Sequence, residues 1–74
     1  MANMATFILS PGESATHSHE ADSTSTLLKG KVSMVVNGNQ VPLELNKPIR
    51  IPAHAEHTMI NVGSTEGRVA CWAC

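Results

Sequence analysis

The sequence predicts an all-β fold, a small antiparallel β-barrel or jelly roll of about eight short strands in a single domain, residues 1–74. β-Branched residues recur in short alternating runs, and turn residues separate these runs about every 8–12 residues. No segment shows the period of a long amphipathic helix. A chain of this length buries only about 60% of the surface that its unfolded form exposes. We therefore expect a second subunit to bury further surface and stabilise the fold, most simply in a homodimer.

Turn residues set the limits of the predicted strands. Ser10-Pro11-Gly12 closes the first strand, because Pro presets one dihedral angle and Gly permits a positive one. Asn37-Gly38 is a strong hairpin signal, and Pro48 and Pro52 flank a short strand where a missing amide hydrogen costs least. In chain order, the predicted strands are residues 4–9, 13–19, 23–28, 31–36, 40–45, 47–52, 57–62 and 68–74.

Composition argues against two classes of partner. The chain has 5 Lys and Arg against 6 Asp and Glu, scattered singly, so we expect no basic patch for nucleic acid. Phe7 and Trp72 are its aromatic residues, too few for a base-stacking platform. No apolar run approaches the ~20 residues of a membrane span, and we expect no membrane partner and a cytoplasmic location.

Four histidines fall in two clusters. His17 and His19 lie two residues apart, and in a strand this spacing points both imidazoles to one face, as two ligands of one metal ion or as a solvated polar face. His57 begins an alternating strand, whereas His54 lies in the Pro-rich loop before it, at the rim of the fold or in solvent.

The order of these residues resembles the cupin superfamily, in particular small single-domain cupins with a barrel like that of RmlC. The family's first motif contains a leading Gly, an H-x-H pair, an acidic or amide residue four positions later and a further Gly. His17, His19, Ser23 and Gly30 occupy these places, and Gly12 lies close to the leading one. This resemblance implies the cupin barrel.

The second cupin motif, P-x-G-x-x-H-x-x-x-N, is also present. Pro52, His57 and Asn61 match it at the same intervals, and His54 stands where the family has Gly. The segment between the two motifs has the hairpin character that is usual in the family. The resemblance covers nearly the whole chain from Gly12 to Asn61 and is specific for the fold, but much less so for a reaction.

Cupin motif residues usually surround one divalent metal ion. Carried over to this chain, the resemblance implies the metal ligands His17, His19 and His57. Ser23 departs from the pattern, because a neutral hydroxyl is a poor ligand compared with a carboxylate. Three outcomes follow: a three-histidine centre similar to that of some cupin dioxygenases, a site completed by Glu20 or Asp22, or a weak or empty site.

The resemblance leaves the metal and the reaction open. Iron, manganese, nickel and zinc are all candidates. Three neutral imidazoles suit an iron dioxygenase with a small anionic substrate, and they also suit a Lewis-acid isomerase or lyase. A non-catalytic module that binds a small ligand or a metal, with a sensory role, is the alternative from a different class.

Three residues are candidates for contacts with the bound ligand. Ser23 and Ser25 share one face of a strand, so both hydroxyl groups line the predicted cavity. Arg50 pairs with a substrate carboxylate if it points inward and forms a surface ion pair if it points outward. The terminal C-x-x-C pair, Cys71 and Cys74, is predicted to pack structurally rather than to exchange disulfides.

Overall fold

The computed structural model describes residues 4–72, and β-strands are their regular secondary structure. Within this range no residue is helical, and no segment could cross a membrane as a long apolar helix. The cytoplasmic location stays a prediction, and Cys74 lies outside the described residues. The strands are β1 Met4–Leu9, β2 Ser14–His17, β3 Ser23–Lys29, β4 Val32–Val36, β5 Asn39–Pro42, β6 Ile49–Ile51, β7 His57–Asn61 and β8 Gly67–Trp72.

Two antiparallel sheets form the fold. The first has the strand order β1-β8-β3-β6, and the second has the order β2-β7-β4-β5. The prediction of an all-β jelly roll with about eight short strands is confirmed. Consecutive strands mostly lie in different sheets, so the chain crosses repeatedly between the two layers and brings distant segments together.

The inner faces of the sheets enclose an apolar core. Alternation along each strand sends every second side chain inward. Met34, Met59, Ile51 and Val69 are at most 1% exposed, and they fill the centre of the core. Cys71 is also buried. The buried polar side chains therefore lie against a close-packed apolar base.

The hairpin between β4 and β5 forms where the sequence predicts it. Asn37 and Gly38 both have positive φ, 48° and 83°, as a two-residue hairpin turn requires. The fifth strand is shorter than predicted and ends at Pro42, although the amide of Leu43 still donates a hydrogen bond to the carbonyl of Val32 at 3.1 Å. Leu45 instead forms an isolated parallel bridge with Leu27 of β3.

Asn61 ties together the loops at the end of β7. Its side-chain amide donates hydrogen bonds to the carbonyl oxygens of Leu9, at 2.9 Å, and Thr65, at 2.8 Å. Its Oδ1 accepts a hydrogen bond from the amide of Gly63 at 2.9 Å. Asn61 is 2% exposed, so these bonds hold three stretches of chain from inside the protein. The second-motif Asn is thus a structural anchor at the opposite end of β7 from His57.

Candidate metal centre

His17 and His57 face each other across neighbouring strands. They are direct register partners in the antiparallel pair of β2 and β7, so both side chains leave the sheet on the same face. Their ring centroids are 4.6 Å apart, with the planes at 90°. His57 is 1% exposed, and His17 is partly buried. The pairing of the strands therefore fixes the relative position of these two imidazoles.

His19 joins this pair from outside the strand. β2 ends at His17, earlier than predicted, so the i, i+2 rule for a strand does not place His19. Its backbone carbonyl instead accepts a hydrogen bond from the amide of His54 at 2.7 Å. The His19 ring centroid is 5.1 Å from that of His17 and 5.2 Å from that of His57.

The three histidines form a cluster of possible ligand atoms, whose members lie within 4.8 Å of one another. Imidazole nitrogens bind Zn²⁺ at about 2.0–2.1 Å, so nitrogens around one ion lie no more than about 4.2 Å apart. The observed spread of 4.8 Å exceeds this limit by about 0.6 Å. The Nε2 atoms of all three are buried and make no hydrogen bond within residues 4–72. Buried polar atoms without a partner indicate a missing ion or water, and the cluster fits a divalent metal.

A hydrogen bond sets the tautomer of His57. Its Nδ1 lies 3.1 Å from the carbonyl oxygen of Ala55. Because a carbonyl only accepts hydrogen bonds, Nδ1 carries a proton, and in the neutral imidazole the lone pair is then on Nε2. Metal-bound histidines commonly have this arrangement, which fixes the ring orientation as well as the tautomer.

The surroundings of His17 favour its neutral form. Burial lowers the pKa of His17, and the nearby His57 and His19 lower it further. The ring of Phe7 stacks on it, with centroids 4.8 Å apart and an interplanar angle of 25°. In the sequence Phe7 is one of two aromatic residues, and no motif connects it with the histidines. Its inward position in the alternating strand β1 was the available signal.

Two serines bring hydroxyl groups into the same interior. Ser23 and Ser25 are 2% and 1% exposed on the inner face of β3, opposite Ile51 and Ile49 of β6. Their Oγ atoms make no hydrogen bond among the described residues. A buried hydroxyl without a partner costs free energy, so these groups are suited to a bound molecule.

The carboxylates near the H-x-H pair are directed elsewhere. Glu20 is exposed, and the histidine cluster identified in residues 4–72 includes no acidic residue. Asp22 accepts hydrogen bonds from Arg50 Nη2, at 2.7 Å, and from the amide of Ala53, at 2.8 Å. Both bonds lower the pKa of Asp22, the backbone bond more strongly. The cluster found among the described residues therefore consists of three histidines and includes neither of these carboxylates.

Arg50 lies outside the cluster. Its side chain is 76% exposed and forms an ion pair with Asp22, which is the outward arrangement considered from the sequence. A contact between Arg50 and a bound ligand stays a prediction. His54 is exposed with φ of 65°, a backbone conformation that explains why the cupin motif has Gly there. The side chain of His54 is thus outside the histidine cluster found in residues 4–72.

Comparisons with known proteins agree with this architecture. The cupin domain model matches residues 5–73. A predicted oxalate decarboxylase from Thermotoga maritima is 25% identical with a TM-score of 0.81, over 93% of this chain and 62% of that one. No curated protein sequence matches the chain.

Two further solved structures share the fold. A cupin superfamily protein from Desulfitobacterium hafniense is 18% identical with a TM-score of 0.84, over 97% of this chain and 65% of that one. An oxalate oxidase is 20% identical with a TM-score of 0.86, over 96% of this chain and 40% of that one. This chain thus spans less than two thirds of the length of these relatives. The family match covers nearly all of its residues, and the chain belongs to the cupin domain family.

Proposed function

We propose that this protein binds one divalent metal ion through His17, His19 and His57 and acts as a metal-dependent enzyme on a small anionic molecule. The proposal rests on the cluster of three histidines, whose Nε2 atoms are buried and have no hydrogen-bond partner in the described chain. When bound, iron would supply dioxygenase chemistry, and manganese, nickel or zinc would supply Lewis-acid chemistry of the isomerase or lyase type. Dioxygenase chemistry is the first choice, because three imidazole ligands would leave coordination positions on the ion for substrate and oxygen.

Charge balance supports an anionic substrate. Three neutral imidazoles leave the two positive charges of the ion uncompensated, and the cluster in residues 4–72 includes no carboxylate. A charge in a partly buried site is costly unless an opposite charge accompanies it. An anion that binds next to the ion supplies this charge. The solved relative from Thermotoga maritima is a predicted oxalate decarboxylase, and oxalate is a small anion of this type.

Ser23 and Ser25 are proposed to orient that anion. Their buried hydroxyl groups have no partner among the described residues, and each can donate one hydrogen bond to a carboxylate oxygen. The apolar residues of the core exclude water around them. Ser23→Ala and Ser25→Ala should therefore weaken anion binding while the metal content stays the same. Unchanged anion binding in both variants would remove the serines from the site.

Elemental analysis tests the metal site. Wild-type protein purified without chelator should contain close to one equivalent of iron, manganese, nickel or zinc, and the His17→Ala, His57→Ala double variant should lose it. His54→Ala is the matched control, since this exposed histidine lies outside the cluster and its loss should leave the metal content unchanged. Absence of metal from all three proteins, with normal folding, would contradict the proposal.

A non-catalytic ligand-binding or sensory module is the second candidate. The neutral Ser23 in place of the usual acidic ligand favours it, because such a substitution weakens a metal site. Metal-loaded protein can be incubated with a panel of small carboxylates while oxygen uptake and carboxylate loss are recorded. Oxygen uptake supports a dioxygenase. Consumption of a tested carboxylate compound without oxygen uptake supports Lewis-acid chemistry. Binding without loss of any tested carboxylate supports the module.

We also propose a homodimer that uses the outer face of the first sheet. This face exposes Met4, Ile8 and Trp72 to between 48% and 57%, with Leu28 at 46%. Light scattering at micromolar concentration should give the dimer mass, and Ile8→Glu should give the monomer. Val62→Glu is the control, because this equally exposed residue lies in the loop after β7. A wild-type monomer would contradict the proposal.

A further inference from the structure

The position of His19 depends on a turn distant in sequence. His19 follows the end of β2, so no strand ladder holds it. The residues at 52–56 form a tight turn between β6 and β7, closed by a hydrogen bond from the amide of Ala55 to the carbonyl of Pro52 at 3.2 Å. In this turn the amide of His54 donates to the carbonyl of His19 at 2.7 Å.

The same turn orients a second imidazole. The carbonyl of Ala55 accepts the hydrogen bond from His57 Nδ1 at 3.1 Å. The turn is also fixed from its other side, because the carbonyl of Glu56 accepts a hydrogen bond from the amide of Asn37 at 3.1 Å. Any displacement of the turn relative to residues 18–22 would therefore move His19 away from His57.

Asp22 provides the second connection between these segments. Its Oδ1 accepts a hydrogen bond from the amide of Ala53 at 2.8 Å, next to the amide that binds His19. Its Oδ2 accepts one from Arg50 of β6 at 2.7 Å. The Asp22 and Arg50 side chains are 46% and 76% exposed, and exposed ion pairs stabilise proteins little. The bond to the backbone amide is therefore the important contact.

We propose that Asp22 is a positioning residue that holds His19 in the histidine cluster by binding the backbone amide of Ala53. The effect on metal affinity rests on the metal site proposed above. The carbonyl of His19 and the carboxylate of Asp22 bind successive amides of one turn, so together they prevent the H-x-H segment from rotating about a single hydrogen bond. Arg50, which lies outside the cluster, donates a hydrogen bond to the Asp22 carboxylate.

Metal titration of variants tests this role. The Kd for Zn²⁺ measured by calorimetry should rise about tenfold in Asp22→Ala, as for other residues that orient metal ligands. Asp22→Asn keeps an acceptor oxygen for the Ala53 amide, so most of the affinity should remain. Glu66→Gln is the matched control, because Glu66 also forms an exposed 2.7 Å ion pair, with Arg68, outside the cluster.

Hydrogen exchange in metal-free protein gives an independent readout. The amide of His54 should exchange about tenfold faster in Asp22→Ala, whereas the Asn46 amide, which donates to Leu27 at 2.8 Å, should not change. Asp22→Leu, of similar size but without an acceptor, should reproduce both effects, and it replaces Asp22→Ala if that variant does not fold.

Two outcomes separate this role from the metal site. If wild-type protein binds neither Zn²⁺ nor Fe²⁺, Mn²⁺ or Ni²⁺, the proposed function fails, but faster exchange of the His54 amide would still support the positioning role. Unchanged exchange in Asp22→Ala and Asp22→Leu would overturn it. If wild-type protein binds Zn²⁺, a change in Kd of less than twofold in these variants, or an equal change in Glu66→Gln, would also overturn it.

Discussion

Asn61 offers the sharpest test of how the fold is held. Asn61→Ala removes one hydrogen bond to the carbonyl of Leu9, one to that of Thr65 and one from the amide of Gly63. The bond to the Leu9 carbonyl is buried, and its loss costs about 1–3 kcal/mol, whereas each of the other two bonds contributes about 0.5–1.5 kcal/mol. The total, about 2–6 kcal/mol, is a large part of the roughly 4–11 kcal/mol expected for a domain of this size.

Asn61→Asp separates the hydrogen bonds from the volume of the side chain. The carboxylate retains the bond from Gly63 but faces two carbonyl oxygens, so we expect its pKa to rise above the usual value of about 3.9. A group with a raised pKa in the folded state is most favourable at low pH, and its contribution is lost as pH rises through that pKa. Relative to wild type, Asn61→Asp should therefore be less stable at pH 8 than at pH 5.

Urea denaturation followed by circular dichroism measures both effects. Asn39→Ala is the control, since this residue is exposed and the change should cost less than about 0.5 kcal/mol. A loss below about 1 kcal/mol in Asn61→Ala would refute the anchor role. Equal stability of wild type and Asn61→Asp at pH 8 would refute it as well.

Three further predictions concern backbone strain and protonation. His54→Gly should raise the free energy of unfolding by about 0.5–1 kcal/mol and Tm by several degrees, because φ is 65° there, whereas His54→Ala should give no such gain in a thermal scan. Gly30→Ala should lower the midpoint of urea denaturation more than Gly38→Ala. Both glycines have positive φ, but a Cβ at Gly30 would lie 2.6 Å from the Glu66 carbonyl oxygen, whereas a Cβ at Gly38 would meet open space. Equal losses in the two variants would contradict this prediction. The lowered pKa of His17 implies that its contribution to the stability of metal-free protein is full above about pH 6.5 and is lost as pH falls. Between pH 7.5 and 5.5, urea denaturation should therefore show a larger loss for wild type than for His17→Gln, and equal losses would argue against a buried neutral imidazole.

Local patterns in the sequence predicted much of the fold. Asn37-Gly38 predicted its hairpin, and the alternation in β3 predicted that Ser23 and Ser25 share one face, which the structure shows to be the inner one. The strand period failed for His19, because β2 ends two residues earlier and a contact with the amide of His54 holds the chain instead. This contact joins residues 35 positions apart, and local periodicity contains no information about it.

The motif resemblance identified the histidines but not their supports. The bond of His57 to the Ala55 carbonyl and the stacking of Phe7 on His17 depend on the path of the backbone between strands. The bond from Ala53 to Asp22 likewise requires that the loops after β2 and β6 meet. From the sequence, Asp22 is a residue that could complete the metal site, whereas the structure shows its carboxylate directed to Arg50 and this backbone amide.

The most direct test of the central claim is NMR of the histidine side-chain nitrogens during titration of metal-free protein with Zn²⁺. The Nε2 signals of His17, His19 and His57 should shift together and reach their end point at one equivalent, because these atoms form the cluster. The signals of His54 should stay in place over the same range. Shifts confined to His54, or no shift of the other three at one equivalent, would contradict a three-histidine metal centre.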